Sequence, residues 1–262
     1  MRLLKHFLKK IICYYRWIPF VFRRADFYRR FVLVTAADKT HFKSLLQFLT
    51  SAHKYEADSF IIVYDLGFQE NQKNEIRNRF KNVELRPFLY EHYPDYFNIK
   101  INAGEYAWKP IIIKSVMDEF KSSICWMDAG NIITSKLTKI RKVIDAVGLY
   151  SPQSAGSVKE WTHPKTLAYL NASNQLLEKI NLCASCVCVN YHNHHARRLI
   201  NQWADYALKK DCIAPNGSDR SNHRQDQAVL TLLFHQSGLA KHYLSNPNFL
   251  RYLDLKIHQD ID

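Results

Sequence analysis

The stretch from Ser122 to Thr134, SSICWMDAGNIIT, constrains the chain most, because it reads as a buried strand that runs straight into a carboxylate. Ile124, Cys125, Trp126 and Met127 carry no charge, the pattern of a strand covered on both faces of a mostly parallel sheet. Asp128 follows where that strand must stop, and the small residues Ala129 and Gly130 leave room beside it. Ligands of open α/β sheets bind beyond the carboxyl ends of the strands. Asp128 therefore either serves such a site or caps the next turn.

The segments around it favour an α/β layer structure. Phe31 to Thr35 reads as a first buried strand, followed by Ala36, Ala37 and Asp38 and a helix over His41 to Tyr55 with Phe42, Leu45, Leu46, Phe48 and Leu49 on its apolar stripe. Phe60 to Tyr64 is a second strand, so the three elements form one right-handed crossover unit. A polar helix over Glu70 to Phe80 and a strand over Val83 to Arg86 come next. Residues 88 to 107 are irregular and aromatic, either a wall for substrate or a loop folded onto the core. Trp108, Lys109 and Pro110 open a helix to Phe120. A cation in that first turn opposes the helix dipole, and Lys109 thus implies a neighbouring anion such as a diphosphate, or is a plain surface lysine.

Further along, Lys136 to Val147 reads as a helix and Ser151 to Trp161 as a loop. Ala184 to Tyr191 alternates, with Cys186, Cys188 and Asn190 on one face and Val187, Val189 and Tyr191 on the other. Cys183, Cys186 and Cys188 are followed by His192, His194 and His195, but a strand spreads these groups over two faces and their spacing matches no common closed zinc site. Buried structural cysteines are the favoured reading. Asp226 either caps the apolar helix that follows it or, with Arg220, His223 and Arg224 beside it, belongs to a site.

Composition limits the functional classes. With 262 residues and 47% hydrophobic content the chain can bury a full core. Its 6 cysteines sit mostly in apolar surroundings without a disulfide-framework pattern, which fits a reduced, cytoplasmic setting. The net charge of +13 is uneven: residues 1–30 hold nine Lys or Arg against one acid. There Leu3, Leu4, Phe7, Leu8, Ile11, Ile12, Tyr15 and Ile18 repeat at helical spacing, opposite Arg2, Lys5, Lys9, Lys10 and Arg16. The expected organisation is a basic amphipathic helical arm over residues 1–30 and one domain over 31–262. The arm suits an anionic membrane surface on the cytoplasmic face, where the protein would be peripheral; a helix packed on the body and a nucleic-acid arm are the alternatives. Apolar anchors as abundant as the charges favour the membrane, and no nucleic acid is expected as a partner.

Taken in order, Tyr-Asp-Leu-Gly (64–67), Trp-Lys-Pro (108–110), Trp-x-Asp-Ala-Gly (126–130) and Asp-Gln (226–227) resemble the nucleotide-sugar glycosyltransferases of GT-A fold, in the group that includes lipopolysaccharide galactosyltransferases and glycogenin and uncharacterised relatives that carry the first three of these motifs. The resemblance covers about residues 31 to 258. It implies an α/β fold with a mostly parallel central sheet flanked by helices, and transfer of a sugar from a nucleotide-diphosphate donor to a hydroxyl of a glycan or lipid-linked acceptor. It implies donor contacts from Thr35, Ala36, Asp38, Lys109 and Ser185 and catalytic roles for Asp226, Gln227 and Asp128, while Arg224, a cation beside Asp226, is a further candidate for donor binding. The implied cofactor is a divalent cation, Mn²⁺ or Mg²⁺, on Asp128; here either His258 or His242 helps to bind it, or cations such as Lys109 and Arg224 stabilise the leaving diphosphate directly. Two departures stand out: Gly130 replaces the second Asp of Asp-x-Asp, and Cys183-Ala184-Ser185 stands where the group has Asn-Ser-Gly. Losing a carboxylate weakens a hard-cation site, so a glycosyltransferase-like protein that binds a glycan or nucleotide without turning it over is the competing reading.

Overall fold

The computed structural model describes residues 31–242 and 253–261, with no side-chain description for Lys241 and His242. The amphipathic arm expected over residues 1–30 lies outside the described residues, as does the His242 side chain.

In chain order the main elements are β1 (Phe31–Ala37), α1 (Phe42–Tyr55), β2 (Phe60–Asp65), α2 (Glu70–Arg79), β3 (Val83–Pro87), α3 (Trp108–Phe120), β4 (Ser123–Met127), β5 (Ile132–Ile133), α4 (Thr138–Val147), β6 (Leu149–Tyr150), β7 (Gln153–Ser157), β8 (Ile180–Leu182), β9 (Cys186–Val189), α5 (His194–Ala207), α6 (Gln225–Gln236) and β10 (Leu255–Lys256). The main sheet has six strands in the order β3-β2-β1-β4-β9-β6. From β3 to β4 the pairing is parallel, and β9 then runs antiparallel to both β4 and β6. The expected mostly parallel α/β sheet is thus present. The segment expected as a loop over 151–161 instead holds β7, paired with β8, and a helical turn over Val158–Trp161. Its small polar residues give no apolar alternation, so the ladder to β8 supplies what local pattern does not.

Period-two alternation divides the sheet into two faces, each with its own core. Val32, Val34, Ile124, Trp126, Val187 and Val189 meet α3, α5 and α6 on one side. Phe31, Leu33, Cys125, Met127, Cys186 and Cys188 meet α1 and α4 on the other. Both faces of β1 and β4 are buried, which is why these strands read as unbroken apolar runs. The chain proceeds from β1 to β2 and β3 on one flank, while β4 pairs with β1 on the other. The gap beyond the carboxyl ends of β1 and β4 is therefore the switch point of the sheet, where ligands of such folds bind.

Candidate active site

A cavity of about 620 Å³ opens at that switch point. Ala36, Ala37 and Asp38 from the end of β1 and Asp128 to Asn131 from the end of β4 line it, together with Lys109, Ser185, Arg224 to Gln227, His258 and Asp260. The parallel strands β1 and β4 deliver their carboxyl ends to this edge, and the C-terminal segment after β10, which pairs with β5, brings His258 and Asp260 to it, more than two hundred positions from β1.

Lys109 lies at its centre, 3% exposed. Its Nζ stands 3.0 Å from Asp128 Oδ1 and 3.2 Å from Asp226 Oδ2, and donates to the Ala184 carbonyl at 3.2 Å. The Tyr106, Trp108 and Trp126 ring centroids lie within 5.9 Å of the same ammonium. Burial works against the charge on Lys109, the carboxylates of Asp128 and Asp226 work for it, and the net shift of its pKa is upward. The anion that its place in the first turn of α3 implied is thus the chain's own carboxylate pair. Trp126 Nε1 donates to Asp128 Oδ1 at 2.7 Å, fixing that carboxylate from the strand itself.

Asp226 lies in the first turn of α6 and is 5% exposed. Its Oδ2 has Lys109 as an ion-pair partner without a well-aligned hydrogen bond. Burial pushes its pKa up, Lys109 pulls it down, Asp128 adds to the rise, and it ends above the usual carboxylate range. A buried acid with an incompletely paired oxygen facing a cavity is poised to interact with a reacting group.

Backbone strain gathers at the same place. Asn102, Ala103, Gly104, Glu105 and Tyr106 form a left-handed turn with φ between 46° and 65°. Each non-glycine residue there costs about 1–2 kcal/mol. Gly104 is required as well by space, since a Cβ would lie 2.9 Å from Trp108 Cδ1 and overlap the Phe97 carbonyl oxygen. Gln225, itself at φ 29°, donates to the buried Glu105 at 3.3 Å and ties this turn to α6. The aromatic segment before it packs inward, with Phe88, Tyr93 and Phe97 stacked at 5.0 and 5.1 Å. Ile99, Ala103 and Tyr106 form cavity wall, so the segment is part core and part wall.

Of the donor residues named from sequence, Ala36, Asp38, Lys109, Ser185 and Arg224 line the cavity. Thr35 does not. It is fully buried, turned by strand alternation to the side of Leu33 and Ala37, with its hydroxyl unpartnered. Asp128, Asp226 and Gln227 share the cavity with His258. Ser185 acts through its carbonyl, which accepts from Asp128 N at 2.8 Å and Asn131 Nδ2 at 2.7 Å. Arg224 lies over the Trp161 ring at 4.1 Å and Arg220 over Tyr106 at 5.4 Å. His223 belongs elsewhere: it is wholly buried, accepting from His163 N at 3.2 Å and bonded to the Ile213 carbonyl at 2.9 Å. Asn131 and Trp161 were not assigned to a site by sequence, Tyr106 belongs to the aromatic stretch expected as a wall for substrate or a loop folded onto the core, and Asp260 stood in the tail with no role. For Asp260 the signal was Gly130, whose missing side chain leaves the space that the Asp260 carboxylate occupies.

The cysteines divide by face. Cys125 and Cys188 are direct partners across β4 and β9 with their sulfurs joined, and Cys186 lies beside them. Among the described residues these three are the set of His, Cys and acidic groups whose ligand atoms all lie within 4.8 Å. All three are buried, and burial holds the Cys186 thiol far above its ordinary pKa, which opposes the thiolate that a metal needs. Cys183 is separate, with Ser185 Oγ at 3.0 Å and His258 Nε2 at 3.6 Å.

With this geometry in view, comparison with known proteins is informative about the fold. The galactosyltransferase LgtC, solved with donor and acceptor sugar analogs, superposes with a TM-score of 0.55 at 13% identity, covering 87% of this chain and 86% of that one. The chain has the GT-A glycosyltransferase fold. Mouse xyloside xylosyltransferase 1 (9% identity, TM-score 0.50, 80% and 83% covered) and the mannosyltransferase Ktr4p of S. cerevisiae (8%, 0.50, 86% and 76%) share it. A family described as "protein of unknown function (DUF1647)" matches residues 21–114. No curated protein matches by sequence.

Proposed function

We propose that the chain is a glycosyltransferase that moves a sugar from a nucleotide-diphosphate donor to a hydroxyl of a glycan or lipid-linked acceptor. The observation that carries this reading is the meeting of Asp128, Lys109 and Asp226 at the floor of the switch-point cavity. The small residues Ala36 and Ala37, with Asp38, leave a slot at the end of β1 for the base and ribose. Arg224 on the cavity wall supplies positive charge for the diphosphate as it leaves, while Lys109 holds the two carboxylates in place. Asp226, held by Lys109 and followed by Gln227, faces the reacting carbon, either stabilising positive charge on the sugar or taking the proton of the incoming hydroxyl. The rings of Tyr106 and Trp161 on the cavity wall offer apolar faces to a sugar.

A divalent ion, Mn²⁺ or Mg²⁺, is what the fold implies, yet among the described residues the three groups whose ligand atoms all lie within 4.8 Å are Cys125, Cys186 and Cys188, so a cation in the cavity would need ligands beyond the protein, such as the donor's own phosphates. Asp128 and His258 share the cavity and offer the oxygen and imidazole donors that Mn²⁺ accepts. Such an ion would supply further charge against the diphosphate.

Donor hydrolysis across a panel of nucleotide sugars, with and without Mn²⁺, tests the proposal. One donor should turn over, and Asp128→Ala and Asp226→Ala should each reduce the rate by about 100-fold or more. If no nucleotide sugar binds, the proposal fails.

Residues 1–30, basic and amphipathic by sequence, would hold the enzyme at an anionic membrane surface where a lipid-linked acceptor is presented. Among the described residues no helix is long and apolar enough to cross a membrane. Sedimentation with anionic vesicles should fall when residues 1–30 are removed; equal sedimentation of the full and shortened chains would rule the membrane role out.

A further inference from the structure

The cations of the cavity are paired at its floor and unpaired toward its mouth. Lys109 has two carboxylates, whereas Arg220 and Arg224, which line the same cavity, form no ion pair among the described residues. The acids of their own segments are committed elsewhere. Asp219, which precedes Arg220, accepts from Ser221 N at 2.7 Å and from the Ser221 hydroxyl. Glu160, which precedes Trp161, accepts from Ser157 N at 2.6 Å. Glu105, which precedes Tyr106, is buried and accepts from Asn102 Nδ2 at 3.1 Å and from Gln225.

Each guanidinium is held against a ring instead. Arg224 lies over Trp161, and its backbone N donates to the Trp161 carbonyl at 3.1 Å. The Trp161 ring in turn fills the space that a side chain on Gly156 would need. Arg220 lies over Tyr106 and donates to its hydroxyl at 2.5 Å. Burial and the charge of Arg220 both lower the Arg224 pKa, so the two like charges stand close enough to oppose each other. Two cations fixed side by side without an acid between them suit an oxyanion, which guanidinium forks grip with parallel hydrogen bonds.

Depth decides which substrate brings that anion. Lys109 and Asp226 are buried at the floor, where the proposed transfer takes place. Arg224 is half-buried and Arg220 exposed, so the pair climbs from the wall to the mouth. An incoming hydroxyl must enter by the mouth. We propose that Arg220 and Arg224 form an anion subsite for the acceptor, which therefore carries a phosphate or carboxylate close to the hydroxyl that receives the sugar. Arg224 is shared between this anion and the leaving diphosphate, and Arg220 belongs to the acceptor alone. The acceptor assignment rests on the transferase reading, but the binding of an anion by the two arginines does not.

The first probe is inorganic phosphate, titrated by calorimetry into the full chain, with circular dichroism as the check on folding. Wild type should bind it, and Arg220→Gln should weaken binding by about tenfold or more. A wild type that binds no phosphate, or wild-type affinity in Arg220→Gln, would overturn the proposal. The titration is then repeated with a saturating nucleoside diphosphate, chosen among UDP, GDP, CDP and ADP by direct binding. Phosphate should still bind, and glucose 6-phosphate should displace it where glucose does not. Loss of phosphate to the nucleoside diphosphate would give both arginines to the donor, and phosphate left in place by glucose 6-phosphate would show a subsite closed to a phosphorylated sugar; either result overturns the proposal. If no nucleoside diphosphate binds, the transferase reading falls and the acceptor assignment with it, while the phosphate titration still reports the anion site by itself.

Discussion

Two buried ion pairs lie on opposite faces of the sheet, and they differ in completeness. On the α1 and α4 side, Arg141 meets Glu56 in a bidentate pair, with Nη1 donating to Oε1 at 2.7 Å. Glu56 also accepts from Leu137 N at 2.7 Å and Ser59 Oγ at 2.9 Å, and the guanidinium stacks 4.4 Å from the Phe31 ring. Burial raises the Glu56 pKa, but Arg141 and these donors outweigh it and hold it below the usual range. At the cavity, one ammonium serves two carboxylates, and Asp226 ends with its pKa raised. A complete pair holds helices in place. An incomplete one keeps unsatisfied electrostatic potential for something else to meet.

Breaking the complete pair should have the largest effect on stability. Arg141→Met leaves Glu56 buried without its cation and should cost about 3–5 kcal/mol, read as a lower urea midpoint, while turnover per folded molecule stays near wild type. The sign for Glu56 follows from its depressed pKa: its contribution is present above about pH 4.3, its unfolded value, and is lost as pH falls through the folded value.

The incomplete pair should behave in the opposite way. Asp226→Asn should cut donor turnover by about 10²–10³ and leave the melting temperature unchanged or raised. A carboxyl whose folded pKa lies above its unfolded one lowers stability as pH rises through that interval, so removing the charge relieves the fold. Loss of stability equal to that of Arg141→Met would show that Asp226 is a structural partner of Lys109 and nothing more.

How far each side could be read in advance follows from the same contrast. Strands β1, β2 and β4 were legible because burial on both faces leaves continuous apolar runs, and α1 and α3 because their apolar stripes and opening residues are local. Strand β7 was not, since Gln153 to Ser157 forms a strand only through β8. In the site, Asp128 and Asp226 stood out as acids at the ends of apolar segments. The contact between Gly130 and Asp260 did not, because it depends on how the C-terminal segment folds back across β5. The Glu56–Arg141 pair was equally silent: 85 positions of separation leave no spacing to read.

His223 sharpens the comparison by pH. Its ring satisfies two backbone groups only when neutral, with Nδ1 accepting from His163 N and Nε2 donating to the Ile213 carbonyl. Burial pushes its pKa down to about 4. The unfolded chain therefore binds a proton that the fold refuses, and stability should fall by on the order of 3 kcal/mol as pH drops from about 6.5 to 4. His223→Gln should flatten that limb in chemical denaturation measured at several pH values; an unchanged slope would place the titrating group elsewhere.

The smallest effect should come from a pair that is well made but wet. Arg86 is held by Glu84 at 2.6 Å and Glu119 at 2.6 Å, a geometry as good as that of Arg141, yet the Glu119 side chain is 48% exposed. Water already solvates that carboxylate in the unfolded chain and nearly as well in the folded one, so Glu119→Gln should cost about 1 kcal/mol or less. The loss should shrink further in 1 M salt, where charges are screened over about 3 Å, whereas the loss from Arg141→Met should not. If both pairs respond alike to salt, burial is not what separates them, and the contrast between the complete pair and the cavity loses its physical basis.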